Sequence, residues 1–238
     1  MSRDVILLPT YNERENVQLI IPELFNRYPA IHVHVIDDNS PDGTADVVRS
    51  LMNTYPHLSL LLRSKKEGLG VAYRHGMQDV MAWDDVARVL TMDADGSHDV
   101  SYVGALLEAA KTHDLVIGSR YRDGGGIDEW ESWRFALSRY GNLYARLLTG
   151  LPLTDLTAGF VCYSIALLRK INLENLTASG YAFQIDIKYA AVREAGARVV
   201  EVPIVFKRRR EGESKISRHI ISEGLLTTLK IFLRRMCL

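Results

Sequence analysis

Val89-Leu90-Thr91-Met92-Asp93-Ala94-Asp95-Gly96 decides the fold. The apolar run reads as a buried strand, and it ends abruptly in an Asp-x-Asp turn. In open α/β sheets, ligands gather outside the carboxyl ends of the strands, so two carboxylates at such an end point into the expected site. Carboxylate oxygens are hard ligands that suit Mg2+ or Mn2+ carrying a diphosphate. An isolated Asp-x-Asp is common in loops and specifies little by itself; its weight comes from its neighbours along the chain.

Upstream, two further strand-like runs end in polar turns. Pro9-Thr10-Tyr11-Asn12-Glu13 closes the first, and Asp37-Asp38-Asn39-Ser40-Pro41-Asp42-Gly43-Thr44 closes the second. Paired carboxylates at the end of an apolar run are costly to desolvate unless ribose hydroxyls, base donors or cations meet them; Asp42 reads instead as an ordinary turn cap of the next helix. β-Branched runs at 5–9, 32–38, 58–62, 87–93 and 115–119 alternate with amphipathic stretches at 15–27, 42–55, 69–82 and 101–111. That alternation predicts an α/β fold with a mostly parallel central sheet flanked by helices. Beyond it the pattern predicts a Gly-rich mobile loop or surface turn at 124–126 and a Trp-containing helix at 131–148. A helix at 181–194, a strand at 198–206, a basic loop and a terminal helix from His219 follow.

At 238 residues, a single large domain is expected, 1–218, with 219–238 as an appended amphipathic helix. Basic and acidic residues balance at 29 each, so net charge selects no partner, nucleic acid included. Cys162 and Cys237 cannot build a disulfide framework, and no segment supplies the roughly 20 apolar residues of a membrane span. The first strand begins too near Met1 to leave room for a secretory signal. These features predict a cytoplasmic protein, soluble or peripheral to a membrane.

Taken together, the two upstream turns, Gly68-Leu69-Gly70, Met92-Asp93-Ala94-Asp95, Gly118-Ser119-Arg120-Tyr121, Thr157-Ala158-Gly159-Phe160 and Gly212-Glu213-Ser214-Lys215 resemble the glycosyltransferase family 2 enzymes of the GT-A fold. Within that family they are most similar to the polyprenol (dolichol) phosphate mannose synthases. The motifs occur in the family's order and cover nearly the whole chain. The resemblance implies that Pro9, Tyr11, Glu13, Ile36 and Asp38 hold the nucleoside, and that Asp93, Ala94 and Asp95 surround the metal and diphosphate, with Asp95 the main metal ligand. Two departures stand out. Ser97 occupies a position where relatives often carry Gln, and Val161 one where many carry Arg. His98 reads as a loop residue rather than a ligand. Gly68-Leu69-Gly70 lacks the third glycine of a dinucleotide fingerprint and follows the third strand rather than the first, so a Rossmann cofactor is not expected.

By the same resemblance, Arg120 and Arg134 meet the phosphate of a lipid acceptor. A guanidinium fork grips phosphate oxygens at two points, which an ammonium cannot do. Ser138, one helical turn beyond Arg134, can add a hydroxyl donor. Arg209 and Lys215 are expected to close over the diphosphate, with the remainder of the run from Lys207 to Arg210 facing anionic lipid or simply solvated. The terminal helix sets Ile221, Leu225, Leu229, Phe232 or Leu233, and Met236 on one face, away from Glu223, Thr227, Lys230 and Arg234. That face suits a bilayer interface or packing against the domain equally well. Gln184 and Asp186 lie near the acceptor side without an assigned role.

The implied activity is inverting transfer of a hexose, in first place mannose from GDP-mannose, to polyprenyl or dolichyl phosphate. It would take place at the cytoplasmic face of a membrane, with a membrane-anchoring partner protein possible. Transfer from UDP-glucose or to another acceptor is the near alternative. A nucleotide-sugar-binding regulatory module without turnover is the alternative of a different class.

Overall fold

The computed structural model describes residues 2–128, 132–176, 178–207 and 218–236. The first half runs β1 (Arg3–Thr10), α1 (Arg14–Arg27), β2 (His32–Asp37), α2 (Thr44–Met52), β3 (Leu58–Leu62), α3 (Leu69–Met81), β4 (Val86–Thr91), α4 (Val103–Ala109) and β5 (Leu115–Ser119). The second half adds β6 (Gly126–Ile127), α5 (Ser132–Thr149), β7 (Val161–Ser164), α6 (Ile165–Leu168), α7 (Phe183–Tyr189), β8 (Val199–Pro203), β9 (Val205–Phe206) and α8 (Arg218–Met236).

Seven strands form one sheet in the order β3-β2-β1-β4-β7-β5-β8. All neighbours are parallel except β7, which runs antiparallel to both β4 and β5. The Val5–Leu8 run is fully buried because β1 is central and helices cover both faces, which is why it reads as a continuous apolar run rather than an alternation. Ile6, Leu8 and Leu90 pack with Val17, Ile20 and Leu24 of α1 and Val103 and Leu106 of α4. Val5, Leu7 and Val89 turn to the opposite layer, where Tyr73 and Met77 of α3 and Phe183 and Ile187 of α7 lie.

Several boundaries differ from the sequence expectation for local reasons. The strand expected at 198–206 splits at Pro203, after which the chain leaves the main sheet and pairs β9 with β6. This pairing, with Gly126 N–H donating to Ile204 O at 3.0 Å, makes the Gly-rich stretch a tethered turn. The helix expected at 101–111 opens with a 3-10 turn at Val100–Tyr102, capped by Asp99, whose carboxylate accepts from Ser101 N at 2.8 Å. Asp42 is the turn cap expected: its Oδ1 accepts from Thr44 N at 3.0 Å and Thr44 Oγ1 at 2.6 Å. The helix at 181–194 ends as a π-turn over Ala190–Glu194. Strand β7 was not expected at all.

The terminal helix α8 packs on α5 and α7. It does so with the face that sequence periodicity marked as polar. Thr227, Thr228 and Ile231 are buried, Glu223 Oε1 accepts from Ser179 N and Gly180 N at 2.9 Å, and Arg234 reaches Asp186 and Glu194. Leu225, Leu226, Leu229, Leu233 and Met236 are exposed. Ile231, joined to the core, and these hydrogen bonds and ion pairs, rather than the leucine stripe, fix this helix to the domain.

Candidate active site

The order of strands reverses at β1, since β2 and β3 continue to one side while β4 begins the other. Such a reversal opens a crevice beyond the strand ends, and the tips of β1, β2 and β4 meet there. Adjacent residues on a strand point to opposite faces, and the Asp37-Asp38 pair divides its work accordingly. Asp37 is wholly buried and accepts from Thr10 Oγ1 at 2.8 Å, Ser40 N at 2.9 Å and Ser40 Oγ at 2.7 Å. It welds the tips of β1 and β2. Asp38 instead meets Arg63 Nη1 at 2.6 Å, and Arg63 also donates to Glu67 Oε2 at 2.8 Å and His75 Nδ1 at 3.1 Å. Burial holds the Asp38 carboxyl above its usual range although Arg63 pulls the other way.

Around this tip, Asn12 and Asn39 both adopt left-handed backbone with φ of 57°. Asn12 N–H donates to Ser40 Oγ at 3.0 Å and Glu13 N–H to Thr44 Oγ1 at 3.1 Å, so the two turns brace each other. Tyr11 lies half-buried beneath Lys66 Nζ, 4.0 Å from its ring centre, and Glu13 accepts from Asn16 at 2.7 Å. Pro9, Tyr11, Glu13 and Asp38 are therefore grouped at one edge. Ile36 is not grouped with them by its side chain, which is buried against Gly76 of α3.

Across the crevice, the Asp93-Ala94-Asp95 turn is held from within. His98, buried and stacked on Phe160 at 4.9 Å, accepts the Asp93 N–H on its Nδ1 at 3.0 Å. Nδ1, as the acceptor, carries no proton, and burial lowers the ring's pKa, with the Asp93 and Asp95 charges opposing. His98 is a loop residue, as the sequence suggests. Asp95 Oδ1 accepts from Ser97 Oγ at 2.6 Å and Ser97 N at 3.1 Å, and Tyr73 OH donates to Asp93 Oδ1 at 3.3 Å. Among the described residues, no three His, Cys, Asp or Glu side chains converge so as to hold a metal ion by themselves. Two oriented carboxylates fit a hard divalent cation that takes its remaining oxygens from a diphosphate and water; Ser97 then serves by fixing Asp95.

Beyond β5, Arg120 forms a buried bidentate pair with Asp155. Nε and Nη2 reach the two carboxylate oxygens at 2.7 Å each, and Nη2 also donates to Thr157 Oγ1 at 2.7 Å. Its guanidinium lies 5.5 Å from the Phe206 ring, which packs edge-on to His98, so the arginine is joined to the carboxylate turn through one aromatic side chain. Ser138 of α5 accepts a hydrogen bond from Tyr121 OH at 2.7 Å, which leaves the serine hydroxyl hydrogen to point elsewhere. The Arg134 side chain, Arg209 and Lys215 lie outside the described residues. Lys207, where the basic run begins, donates its backbone N–H to Ser97 O at 3.0 Å and pairs with Asp99 at 2.6 Å.

The segment from Thr154 to Gly159 has no regular structure, and side chains from four elements hold its backbone. Glu201 of β8 accepts from Thr154 N at 2.9 Å and Asp155 N at 3.0 Å. Asn142 of α5 accepts from Leu156 N at 2.8 Å and Thr157 N at 3.3 Å. Lys188 of α7 donates to Leu156 O at 3.0 Å and Ala158 O at 2.6 Å, and Thr91 of β4 to Gly159 O at 2.7 Å. Arg120 Nε, just past β5, holds the Asp155 side chain. Such clamping replaces the hydrogen bonds a loop would otherwise take from water.

Lys188 is wholly buried, and burial lowers its pKa from 10.5 to about 7, with Asp155 opposing, Arg120 reinforcing and Glu201 opposing. Between those values the folded chain binds fewer protons here than the unfolded chain, so this residue's contribution to stability rises with pH across that window. The difference in unfolding free energy between wild type and Lys188→Met is expected to shift in favour of wild type from about pH 7 to 9. A difference flat with pH in urea titrations would contradict this.

Sequence reasoning passed over Arg63, Asn142, Lys188 and Glu201. Arg63 had a readable signal: it follows β3 directly, and a parallel sheet sets that position beside the Asp37-Asp38 tip. The Gly68-Leu69-Gly70 motif also acquires a reason. A Cβ at Gly70 would stand 2.7 Å from Phe183 Cβ, and Gly68 has φ of +109°, so both glycines let α3 start against the 178–183 segment.

Comparison with known proteins agrees with this geometry. Residues 5–175 match the pattern of Glycosyl transferase family 2. The undecaprenyl-phosphate mannosyltransferase of Micrococcus luteus is 42% identical over 229 residues, covering 96% of this chain and 93% of that protein. The polyprenol monophosphomannose synthase of Mycolicibacterium smegmatis is 40% identical over 226 residues, covering 94% and 84%. Glucosyl-3-phosphoglycerate synthase from Mycobacterium tuberculosis, solved with Mn2+ and UDP-glucose, shares the fold at a TM-score of 0.70 with 17% identity, covering 97% of this chain and 79% of that one. A mostly parallel sheet with its acidic turn at the strand-order reversal, matched over most of its length by one family's pattern, means that the chain belongs to glycosyltransferase family 2.

Proposed function

We propose that the chain transfers mannose from GDP-mannose to a polyprenyl monophosphate, in one inverting displacement at a membrane surface. What supports this reading is the run of contacts from the Asp93–Asp95 turn through His98 and Phe206 to the buried Arg120–Asp155 pair, with Tyr121 beside it bonded to Ser138 of α5. Carboxylates on one side suit a cation-bound diphosphate. Cationic and hydroxyl donors on the other suit an anionic acceptor. The names of the two bacterial relatives supply the sugar and the lipid.

A phosphate monoester with a second pKa of about 6 is largely a dianion at neutral pH, so its oxygen attacks the anomeric carbon without a general base. The protein's task is alignment and charge. Arg120 is aimed by Asp155, and Ser138 by Tyr121. Arg134 belongs to the same helix as Ser138, one turn earlier, and completes the acceptor side in this reading. Mg2+ or Mn2+, held by Asp93 and Asp95, would neutralise the leaving diphosphate. Arg209 and Lys215 would assist, on a segment that starts from Lys207 bound to the Ser97 carbonyl.

The lipid reading draws on α5 and α8. No helix among the described residues is long and apolar enough to cross a membrane. Yet Trp133, Tyr140, Leu143 and Leu147 of α5 and Leu226, Leu229, Leu233 and Met236 of α8 are exposed, on two helices in contact. Arg139, Arg146, Lys230 and Arg235 are exposed among them. The only acidic residue in either helix, Glu223, faces inward. Apolar side chains interspersed with cations alone suit an anionic bilayer interface. Burying a leucine contributes about 1.5–3 kcal/mol. Leu226→Glu with Leu233→Glu is therefore expected to weaken sedimentation with phosphatidylglycerol vesicles by roughly a hundredfold or more. Unchanged sedimentation would remove the membrane face.

The test of the activity is direct. Purified chain, Mn2+, polyprenyl phosphate and labelled GDP-mannose should yield labelled lipid extractable into organic solvent. Label entering lipid from UDP-glucose alone would overturn the donor, and label entering from neither would overturn transfer.

A further inference from the structure

Beside the carboxylate turn is a space that a glycine leaves open. A Cβ at Gly159 would stand 3.5 Å from His98 Cε1, 3.7 Å from Gln184 Nε2 and 3.9 Å from Asp93 Oδ1. An amide donor and a carboxylate acceptor thus edge the same small volume. That combination complements a polyol, whose hydroxyls donate and accept at once.

The amide is not free to turn round. Lys188 Nζ donates to Gln184 O at 3.3 Å and lies 3.5 Å from Gln184 Oε1, so the amide oxygen is on the lysine side and the NH2 faces Gly159. The same Nζ donates to the Leu156 and Ala158 carbonyls, at 3.0 and 2.6 Å. Thr91 fixes the Gly159 carbonyl at 2.7 Å. The amide thus leans on Lys188, and the glycine backbone on Thr91 and, through the Ala158 carbonyl, on Lys188. Gln184 is buried in the first turn of α7, which is a rigid mount for a recognition group.

We propose that Gln184 is a specificity-determining residue whose Nε2 donates to a hydroxyl oxygen of the hexose being transferred, and that Lys188 is the positioning residue that aims it. The inference rests on the reading that a nucleoside diphosphate sugar binds at Asp93–Asp95. A site built to hydrogen-bond a hydroxyl discriminates strongly against an analogue lacking it, because its own polar group is then left without a partner.

The experiment compares nucleotide with sugar nucleotide. Calorimetric titrations with Mn2+ would use GDP, GDP-mannose and a set of monodeoxy GDP-mannose analogues against wild type, Gln184→Ala and Gln184→Glu. The glutamate variant keeps the shape and the contact with Lys188 but exchanges the donor for an acceptor. GDP affinity is expected to stay within about twofold, while GDP-mannose affinity falls about tenfold in both variants, the order of one hydrogen bond. One deoxy analogue that wild type binds about tenfold less well than GDP-mannose should be bound by both variants as well as GDP-mannose. Unchanged GDP-mannose affinity overturns the proposal, as does a loss shared equally by GDP, which marks a merely structural role. If wild type binds UDP instead of GDP, the donor reading fails, and the ratio of UDP-glucose to UDP affinity decides the role of Gln184 in its stead. Binding of no nucleotide overturns both.

Discussion

Asp95→Ala is expected to lower transfer to polyprenyl phosphate by at least about a thousandfold, corresponding to roughly 4 kcal/mol of transition-state stabilisation. Asp95 accepts hydrogen bonds from the Ser97 amide and hydroxyl, both within its own turn. Its proposed task is different in scale: it anchors the cation that offsets charge developing on the leaving diphosphate, and a charge-stabilising group in a water-poor site is worth several kcal/mol. The variant should therefore unfold within a few degrees of wild type and yet lose the Mn2+-dependent part of its nucleotide affinity. Rates of lipid labelling, with thermal unfolding run in parallel, separate the two effects. Undiminished turnover in folded Asp95→Ala would refute the metal-anchoring role.

The largest effect on stability is expected at Asp155. Asp155→Ala should cost about 3–5 kcal/mol, because it strands the Arg120 guanidinium in the interior without its carboxylate. The pair is buried on both sides, joined by two hydrogen bonds of 2.7 Å and a third from the Arg120 backbone at 3.1 Å. Burial opposes ionisation of Asp155, but the Arg120 charge and its hydrogen bonds outweigh it and hold the carboxyl below its usual range. At 2–4 °C per kcal/mol for a chain of this size, the midpoint should fall by about 10 °C. The double variant Arg120→Met, Asp155→Leu should be less destabilised than Asp155→Ala alone, since the guanidinium is then not left stranded. Equal losses in urea unfolding for the two proteins would mean that the ion pair does not govern this loop. The stability of the double variant does not extend to activity, for it lacks the arginine proposed to meet the acceptor.

How much of this was legible beforehand varies with the range of the interaction. The β-α-β order, the buried central strands and the Asp93–Asp95 turn were readable because each follows from residues adjacent in sequence. Asp42 was rightly read as a cap for the same reason. The loop at 154–159 was legible only as a motif, since its backbone partners, Asn142, Lys188 and Glu201, come from elements far apart in the chain. Strand β7 escaped because four residues inserted antiparallel between β4 and β5 take their hydrogen bonds from partners about 45 and 70 positions away, and no local period announces them.

The terminal helix marks the boundary most clearly. The sequence determined that α8 has a leucine face and a polar face, because 3.6-residue periodicity is local. It could not determine which face docks. That was decided by whether Glu223 finds the Ser179 and Gly180 amides, and whether Arg234 finds Asp186 and Glu194. The same holds for the acidic tips. Sequence alone fixed that carboxylates end the strands, but only the sheet order set Asp37 inward against Thr10 and Asp38 toward Arg63, because the difference between a structural carboxylate and a functional one is the identity of its neighbour in space.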